Sequence, residues 1–251
     1  MNSRYNVYMK FLSINIEGDK HISRVIEFIN SENPDVVCIQ EVIADSVPKL
    51  EEELGMKSVF APMVYGLIMT DPRLAGIAIF SKLSLENIKK NYYVGSEDRL
   101  EHLNRDSITS SEFHKMINRV VLSADLTVQG VTYTVATTHF TWTPDGMPTD
   151  YQLADADKLI EALQSLGELV LAGDFNAPRG LETWSKFTAF LKDNIPEEYD
   201  HSLDWNVHRK PGLKFMVDGL FTTPTYIAKD VQLLGNISDH FAILATIEIE
   251  K

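Results

Sequence analysis

The sequence of 251 residues contains one cysteine, Cys38, and this excludes an internal disulfide framework. Its position in the apolar run V-V-C-I predicts a buried, unreactive thiol. The chain has no run of about 18 apolar residues, so we expect no membrane insertion. The first residues, M-N-S-R-Y-N-V-Y, lack the apolar segment and cleavage site of a secretory signal peptide. We therefore expect a cytoplasmic protein.

Basic residues are also scarce. Lys and Arg total 23 against 36 Asp and Glu, which gives a formal net charge of −13. Such a charge opposes nonspecific adhesion to duplex DNA or to an anionic membrane. An anionic substrate must therefore be bound through a local feature of the molecule.

Hydrophobic residues make up 44% of the chain, an ordinary content for a globular protein with a full core. We find no internal repeat, low-complexity tract or linker, so the economical interpretation is one α/β domain over residues 1–251. Helices are predicted from about residue 19 to Pro34, before Gly55 and over 149–166. Strands are predicted over 7–16, 35–40, 65–69, 76–80, 119–126, 131–138, 168–172, 215–222 and 241–248. Residues 95–118 show no clear period and predict a long surface excursion.

Polar groups lie where several of these strands begin or end: Asn15, Glu41, Asp174 with Asn176, and Asp239 with His240. Ligands of α/β folds collect at one edge of a sheet, so these groups can be neighbours in space. Carboxylates and amide oxygens supplied singly suit a hard, partly hydrated cation such as Mg²⁺. A histidine paired with an aspartate supplies an oriented base.

Each fragment also has a simpler interpretation. I-S-D-H (237–240) and G-D-F-N (173–176) are both compatible with plain polar turns. Q-E (40–41) can be an exposed strand end, and T-T-H-F (137–140) can hold a core histidine bonded to a backbone carbonyl. No fragment alone decides between structure and catalysis.

The order of the fragments carries more information. S-I-N-I-E-G, I-Q-E, G-I-A-I-F-S, T-T-H-F, G-D-F-N, V-D-G-L-F and S-D-H resemble the successive signatures of the endonuclease/exonuclease/phosphatase superfamily, the DNase I-like fold. The resemblance covers nearly the whole chain. It implies a four-layer sandwich of two mixed β-sheets flanked by helices, and hydrolysis of a phosphate ester by metal-assisted attack of water.

The resemblance also implies roles for individual residues. Glu41 resembles the principal Mg²⁺ ligand, with Asn15 beside it and Asp239 completing the site; Mn²⁺ is an alternative cation. The other implied roles are catalytic: His240 oriented by Asp218, Asp174 at the attacking water, and Asn176 and His139 at the phosphate. The order of proton transfers between Asp174 and His240 stays open.

Other positions depart from the best-known members or match them loosely. Glu17 stands where the DNA-repair branch has an aspartate, and the nuclease tyrosine that contacts the phosphate has no clear counterpart. Arg119, Trp142 and Tyr151 are candidates for substrate binding, although each can equally serve packing or a strand edge. In the polar excursion, His102, Arg105 and His114 are weaker candidates for contact with an anionic substrate.

We therefore expect a Mg²⁺-dependent phosphodiesterase whose partner is a phosphate-ester substrate, either a small phosphoester or a single-stranded nucleic-acid end. The single cysteine disfavours the disulfide-bearing secreted nucleases, and the acidic charge disfavours repair nucleases that hold duplex DNA. Duplex nuclease activity is the first alternative. A non-catalytic phosphate-binding or interaction protein is the second. We infer no obligate protein partner.

Overall fold

A computed structural model describes residues 7–68, 71–103 and 110–250. Its strands are β1 Tyr8–Asn15, β2 Val36–Ile43, β3 Lys57–Tyr65, β4 Leu74–Ser81, β5 Glu86–Val94, β6 Arg119–Val128, β7 Val131–His139, β8 Val170–Asp174, β9 Lys192–Asp193, β10 Asp218–Thr222, β11 Tyr226–Leu234 and β12 Ala242–Ile249. Its helices are α1 Ile22–Glu32, α2 Val47–Leu54, α3 Ser110–Met116, α4 Asp150–Gln164 and α5 Glu182–Thr188.

The strands form two mixed six-stranded sheets. The first sheet has the order β11-β12-β1-β2-β4-β3 and the second the order β5-β6-β7-β8-β10-β9. Each contains one parallel pair, β1 with β2 and β7 with β8, and its other neighbours are antiparallel. The parallel pairs are central and almost wholly buried, as their continuous apolar sequences require.

The sheets pack face to face, with helices outside. One buried cluster joins side chains of both sheets, for example Phe11 and Ile77 from the first with Leu122 and Val135 from the second. A second cluster packs α1 and α2 on the outer face of the first sheet, and a third packs α4 and α5 on the second. The predicted four-layer sandwich is confirmed. Within the described ranges, no helix is both long and apolar enough to cross a bilayer.

Several predicted elements have the expected ends. α1 ends at Glu32 with Asn33 in the left-handed conformation directly before Pro34, and α4 begins after Thr149, whose side chain accepts a hydrogen bond from the Gln152 amide. Gln129 and Gly130, both with positive φ, join β6 to β7 in a tight hairpin. Cys38 is completely buried, as predicted, and burial raises the pKa of its thiol.

Other predictions were wrong in detail. The strand predicted to begin at Tyr65 instead ends there as β3, and Met69 lies outside the described residues. The strand expected from residue 215 begins at Asp218. The 95–118 excursion contains the short helix α3.

Candidate active site

The central strands bring polar residues to one edge of the two sheets. Asn15, the last residue of β1, pairs with Gln40 of β2, and His139 pairs with Asp174 at the ends of β7 and β8. β10 is antiparallel to β8, so its first residue, Asp218, lies opposite Asp174. The carboxyl ends of both parallel pairs therefore meet at a common edge.

Two buried hydrogen bonds join the sheets at this edge. Asn15 Nδ2 donates to Asp174 Oδ2 at 3.1 Å, and Gln40 Nε2 donates to Thr137 Oγ1 at 2.9 Å. Each bond links a residue of the first sheet to one of the second. The floor of the candidate site is therefore built from both sheets.

The sequence had suggested that the strand ends at Glu41. In the structure, Glu41 instead lies in a β-bulge within β2. The pairing of β2 with β4 shifts register between Ile39 and Val42, and Glu41 has φ 58°. A non-glycine residue in this conformation costs about 1 to 2 kcal/mol. The bulge places the Glu41 side chain in the cleft rather than in the regular alternation of β2.

Carboxylates crowd one another around Glu41. Burial raises the pKa of Glu41 to about 7, with further contributions from the negative charges of Asp239 and Asp174. Burial likewise raises the pKa of Asp174 to about 6; His240 opposes this rise and Asp218 adds to it. The site thus holds carboxylates that bind a proton, or a cation, readily near neutral pH.

His240 forms a short hydrogen bond with Asp218 and lies close to Asp174. Its Nδ1 lies 2.7 Å from Asp218 Oδ2, and its Nε2 lies 3.9 Å from Asp174 Oδ2. Burial by itself would lower the pKa of His240, but the charges of Asp218 and Asp174 and the Asp218 hydrogen bond outweigh it. The pKa of His240 therefore rises well above its usual value.

His139 faces the same space with opposite electrostatics. Its Nε2 lies 3.5 Å from Asp174 Oδ2 and 3.7 Å from Glu41 Oε1. Arg119, fully buried beneath it, donates from Nη1 to the His139 carbonyl at 2.9 Å. Burial, then the charges of Arg119 and His240, hold the pKa of His139 well below its usual range. This imidazole is neutral at pH 7.

Asn176 and Asp239 flank these groups. The Asn176 amide donates to Asp174 Oδ1 at 2.8 Å, and its side-chain Nδ2 donates to the Phe140 carbonyl at 3.1 Å. Asp239 accepts a hydrogen bond from Ser238 Oγ at 3.1 Å and keeps 9% of its surface exposed. Both line the cleft.

The cleft above these residues has a volume of about 650 Å³. Trp142 forms part of one wall, 43% exposed, with its ring 6.0 Å from that of Phe113 in an edge contact. Leu67, Ile68 and Ile117 continue this apolar lining. Of the three sequence-based candidates for substrate binding, Trp142 and Arg119 line the cleft.

The remaining candidates lie elsewhere. Tyr151 stacks on His114 with ring centroids 4.4 Å apart, and its hydroxyl is buried without a hydrogen-bond partner among the described residues. His114 lies 3.4 Å from the buried Asp155, and His102 stacks on Tyr65. Arg105 is outside the described residues. Tyr151, His114 and His102 are therefore not part of the cleft lining that contains His240.

The oxygen donors fit a hard divalent cation. Burial, and then the negative charges of Asp239 and Asp174, raise the pKa of Glu41, and Mg²⁺ or Mn²⁺ would neutralise those charges. Asn15 would add its amide oxygen, which also accepts a hydrogen bond from the Glu17 amide at 3.1 Å. Asp174, Asp218 and His240 form a second candidate group, with ligand atoms all within 4.8 Å of one another. In that group, however, Asp218 already accepts the hydrogen bond from His240 Nδ1.

Sequence reasoning missed a basic stretch of the cleft rim. His208, Arg209 and Lys210 line the cleft and lie on the segment between Ser202 and Asp218. The signal was available, because H-R-K is a run of basic character in a chain with few cations.

Solved structures share this fold. An endonuclease/exonuclease/phosphatase from Bacteroides vulgatus matches with TM-score 0.74 and 19% identity, covering 97% of this chain and 99% of the other. The mannosyl-6-phosphatase Bt3783 of Bacteroides thetaiotaomicron gives 0.67 and 14%, covering 97% and 100%. ANGEL2, a 2′,3′-cyclic phosphatase solved with adenosine-2′,3′-vanadate, gives 0.72 and 16%, covering 98% and 97%. At identities this low, the structural similarity establishes the fold alone.

Comparison with curated protein sequences gave no match. A family model, by contrast, matches residues 5–240, a span that contains every residue of the candidate site described above. With that match and the shared two-sheet fold, the chain belongs to the endonuclease/exonuclease/phosphatase family.

Proposed function

We propose that the protein hydrolyses phosphodiesters by attack of water, with Mg²⁺ or Mn²⁺ as its cation. Members of the family are hydrolytic phosphoesterases and nucleases. The observation that carries the proposal is the buried His240–Asp218 pair, 2.7 Å long, with Nε2 of His240 directed toward Asp174 at 3.9 Å. This arrangement supports a role for one acid and one base at the same phosphate.

The pKa directions of His240 and Asp174 support a separate role for each. With its pKa raised, His240 carries a proton on Nε2 at pH 7 and donates a hydrogen bond to a phosphoryl oxygen. Asp174, with a pKa of about 6, is ionised at pH 7 and accepts the proton of the attacking water. Asp218 holds the His240 ring in position and stabilises its positive charge.

Two further groups bind the phosphate without changing charge. Neutral His139 donates a hydrogen bond through a ring nitrogen, and Asn176 retains a second amide hydrogen beyond the one bound to Phe140. Arg119 fixes the backbone of His139 and adds positive charge below the phosphate. Together these donors stabilise the charge that develops on the phosphoryl oxygens.

Glu41, Asp239 and Asn15 would hold the cation, which would withdraw charge from the phosphate and help the leaving oxygen depart. Burial is the main cause of the raised pKa of Glu41, and the added contributions of Asp239 and Asp174 support this assignment. Asp174 and His240 then remain available for proton transfer.

The substrate we propose is a small phosphodiester or a single-stranded nucleic-acid end. Trp142 offers an exposed ring for stacking with a base or another flat group, and a cleft of about 650 Å³ has the size of a small-molecule site. Relatives in fold include a mannosyl-6-phosphatase and a 2′,3′-cyclic phosphatase, so the fold alone does not choose between ester types.

The proposal is tested with bis(p-nitrophenyl) phosphate and, in parallel, p-nitrophenyl phosphate as the monoester. We expect diester hydrolysis with Mg²⁺ or Mn²⁺ that EDTA abolishes. His240→Gln and Asp174→Asn should each lower kcat at least about 100-fold. Asp218→Asn should shift the alkaline limb of the pH–rate profile to lower pH, because His240 loses the charge that raises its pKa.

The control is His102→Gln, which removes an exposed histidine outside the cleft and should leave the rate within twofold. Circular dichroism of every variant checks folding. Full activity in His240→Gln, or hydrolysis that survives EDTA, would contradict the mechanism. A monoester rate far above the diester rate would instead make a phosphate monoester the substrate class.

A further inference from the structure

The rim segment from Leu203 to Val217 is anchored at both ends to the catalytic pair. Leu203 forms a β-bridge with His240, and Val217 directly precedes Asp218. At the base of the segment, Ser202 Oγ accepts hydrogen bonds from the amides of Val217 and Asp218 at 3.0 and 3.1 Å. Its position over the cleft is therefore fixed by the same residues that perform the proposed chemistry.

The segment is also braced internally. Trp205 Nε1 donates to the Leu213 carbonyl at 2.8 Å, which closes the segment into a loop, and the Trp205 ring stacks on His201 with centroids 4.3 Å apart. The His208 amide donates to the Asp204 carbonyl at 2.6 Å, and buried Asp204 also accepts from the Asn206 amide. The tip, His208 to Lys210, is thus presented by an ordered scaffold.

The charge of this tip is opposite to that of the molecule. The chain carries a formal charge of −13, and the cleft floor holds several carboxylates, yet His208, Arg209 and Lys210 line the same cleft. Trp142 lines the same cleft, together with the apolar side chains of Leu67, Ile68 and Ile117. The lining of one cleft therefore supplies both cations and an aromatic ring to a bound ligand.

We infer that His208, Arg209 and Lys210 bind a second anionic group, a phosphate that the substrate carries away from the ester bond being cleaved. The inference rests on the proposed phosphodiesterase function and narrows its substrate class. The scissile phosphate is already supplied with donors by His139, Asn176 and His240, so cations at the rim are suited to a different charge. Fixed positive charge at a cleft mouth also raises the association rate of an anionic ligand.

The competing explanation is that the rim cations only offset the carboxylates of the floor. The two explanations differ in what they predict for matched substrates. Simple charge compensation affects every phosphodiester alike, whereas a binding site for a second phosphate discriminates between two esters that differ by that phosphate alone.

The test compares the p-nitrophenyl ester of thymidine 5′-monophosphate with the same ester bearing an additional 3′-phosphate. We expect kcat/KM to be at least about tenfold higher for the 3′-phosphorylated ester at low salt. Arg209→Ala and Lys210→Ala should each lower this preference about fivefold, and the double variant should abolish it. Raising the salt concentration should also reduce the preference, since exposed charges are screened.

Lys214→Ala is the matched control, because Lys214 is an exposed cation of the same loop that pairs with Asp200 and is not part of the cleft lining. It should keep the wild-type preference. Equal kcat/KM for the two esters, or a preference unchanged in the double variant, would overturn the inference and leave the proposed function intact.

A binding measurement tests the second phosphate site separately from the proposed phosphodiesterase function. Calorimetry with thymidine 3′,5′-bisphosphate and thymidine 5′-monophosphate should show tighter binding of the bisphosphate, lost in the double variant. If neither ester is hydrolysed with Mg²⁺ or Mn²⁺, the proposed function fails, and the calorimetric comparison alone decides whether the rim binds a second phosphate. Equal affinities there would reject the rim site.

Discussion

Glu41 combines an unusual backbone conformation with an unusual ionisation. Its folded-state pKa of about 7 exceeds its ordinary value, 4.5, because the side chain is desolvated and faces Asp239 and Asp174. A carboxyl with a raised pKa prefers to be protonated in the folded state. The contribution of Glu41 to folding stability is therefore fully present below about pH 4.5 and is lost as the pH rises through 7. This loss amounts to up to about 3 kcal/mol.

Replacement of Glu41 by Gln should remove that loss. Without metal, Glu41→Gln is expected to unfold at a higher urea concentration than the wild type at pH 8, and to differ little at pH 5. Millimolar Mg²⁺ should stabilise the wild type at pH 8 more than the variant, since Glu41→Gln removes the principal carboxylate ligand of the cation.

Urea unfolding followed by tryptophan fluorescence, with and without Mg²⁺, measures both effects. Glu27→Gln, at an exposed position of α1, is the control and should show neither. A variant that gains nothing at pH 8, or that is stabilised by Mg²⁺ as strongly as the wild type, would remove Glu41 from the metal site.

At the scale of elements, the pair β7 and β8 depends on a close approach of two backbones. A Cβ atom added to Gly173 would lie 2.0 Å from the Thr138 carbonyl oxygen, which no side-chain movement can relieve. Gly173→Ala should therefore cost at least about 2 kcal/mol and displace Asp174, the next residue. Activity should fall more than stability, because Asp174 is displaced from the phosphate.

Gly167→Ala provides the comparison for this prediction. Gly167 has φ +80° and open space around it, so alanine there meets backbone strain alone, about 1 kcal/mol. Chemical denaturation and diester hydrolysis of both variants separate the two effects. Equal losses in both variants would show that the Thr138 contact carries no special cost.

The same scale explains which strands the sequence could predict. β3, β5, β9 and β11 were not predicted, and they are the four edge strands of the two sheets. An edge strand has solvent on one side, so its sequence mixes polar and apolar residues; E-N-I-K-K-N-Y-Y-V of β5 is largely exposed. Interior strands such as β2 and β8 are buried on both faces, and their apolar runs are legible in the sequence.

The predicted strand ends identified residues of the candidate site, whereas the loop sequences did not identify the basic residues of the cleft rim. Asn15 and Asp174 follow from the points where buried strands stop, whereas Asp218 was expected inside a strand and its role came from the family resemblance. The bulge at Glu41 could not be predicted, because the register shift depends on pairing with β4, which lies far along the chain. The position of the rim segment likewise depends on contacts with residues far along the chain, such as the β-bridge of Leu203 with His240 and the hydrogen bond from the Asp204 amide to the Asp239 carbonyl at 2.8 Å.

At the scale of the whole molecule, the acidic surface sets the expected response to nucleic acids. Duplex binding depends on neutralising many backbone phosphates, and a chain of formal charge −13 repels them. We expect a Kd weaker than about 100 µM for a 20-base-pair duplex in 150 mM salt, measured by fluorescence anisotropy with Ca²⁺ in place of Mg²⁺. Micromolar affinity, or efficient nicking of supercoiled plasmid with Mg²⁺, would favour the duplex nuclease alternative.

The hydrogen bond between Asn15 and Asp174 crosses from one sheet to the other, and the proposed cation ligands and acid–base groups are divided between them. The rate of turnover therefore depends on how the two sheets are aligned with each other. A slip of about one ångström between them, caused by a repacked interior residue far from any ligand, would lower the rate about 100-fold while leaving each half correctly folded.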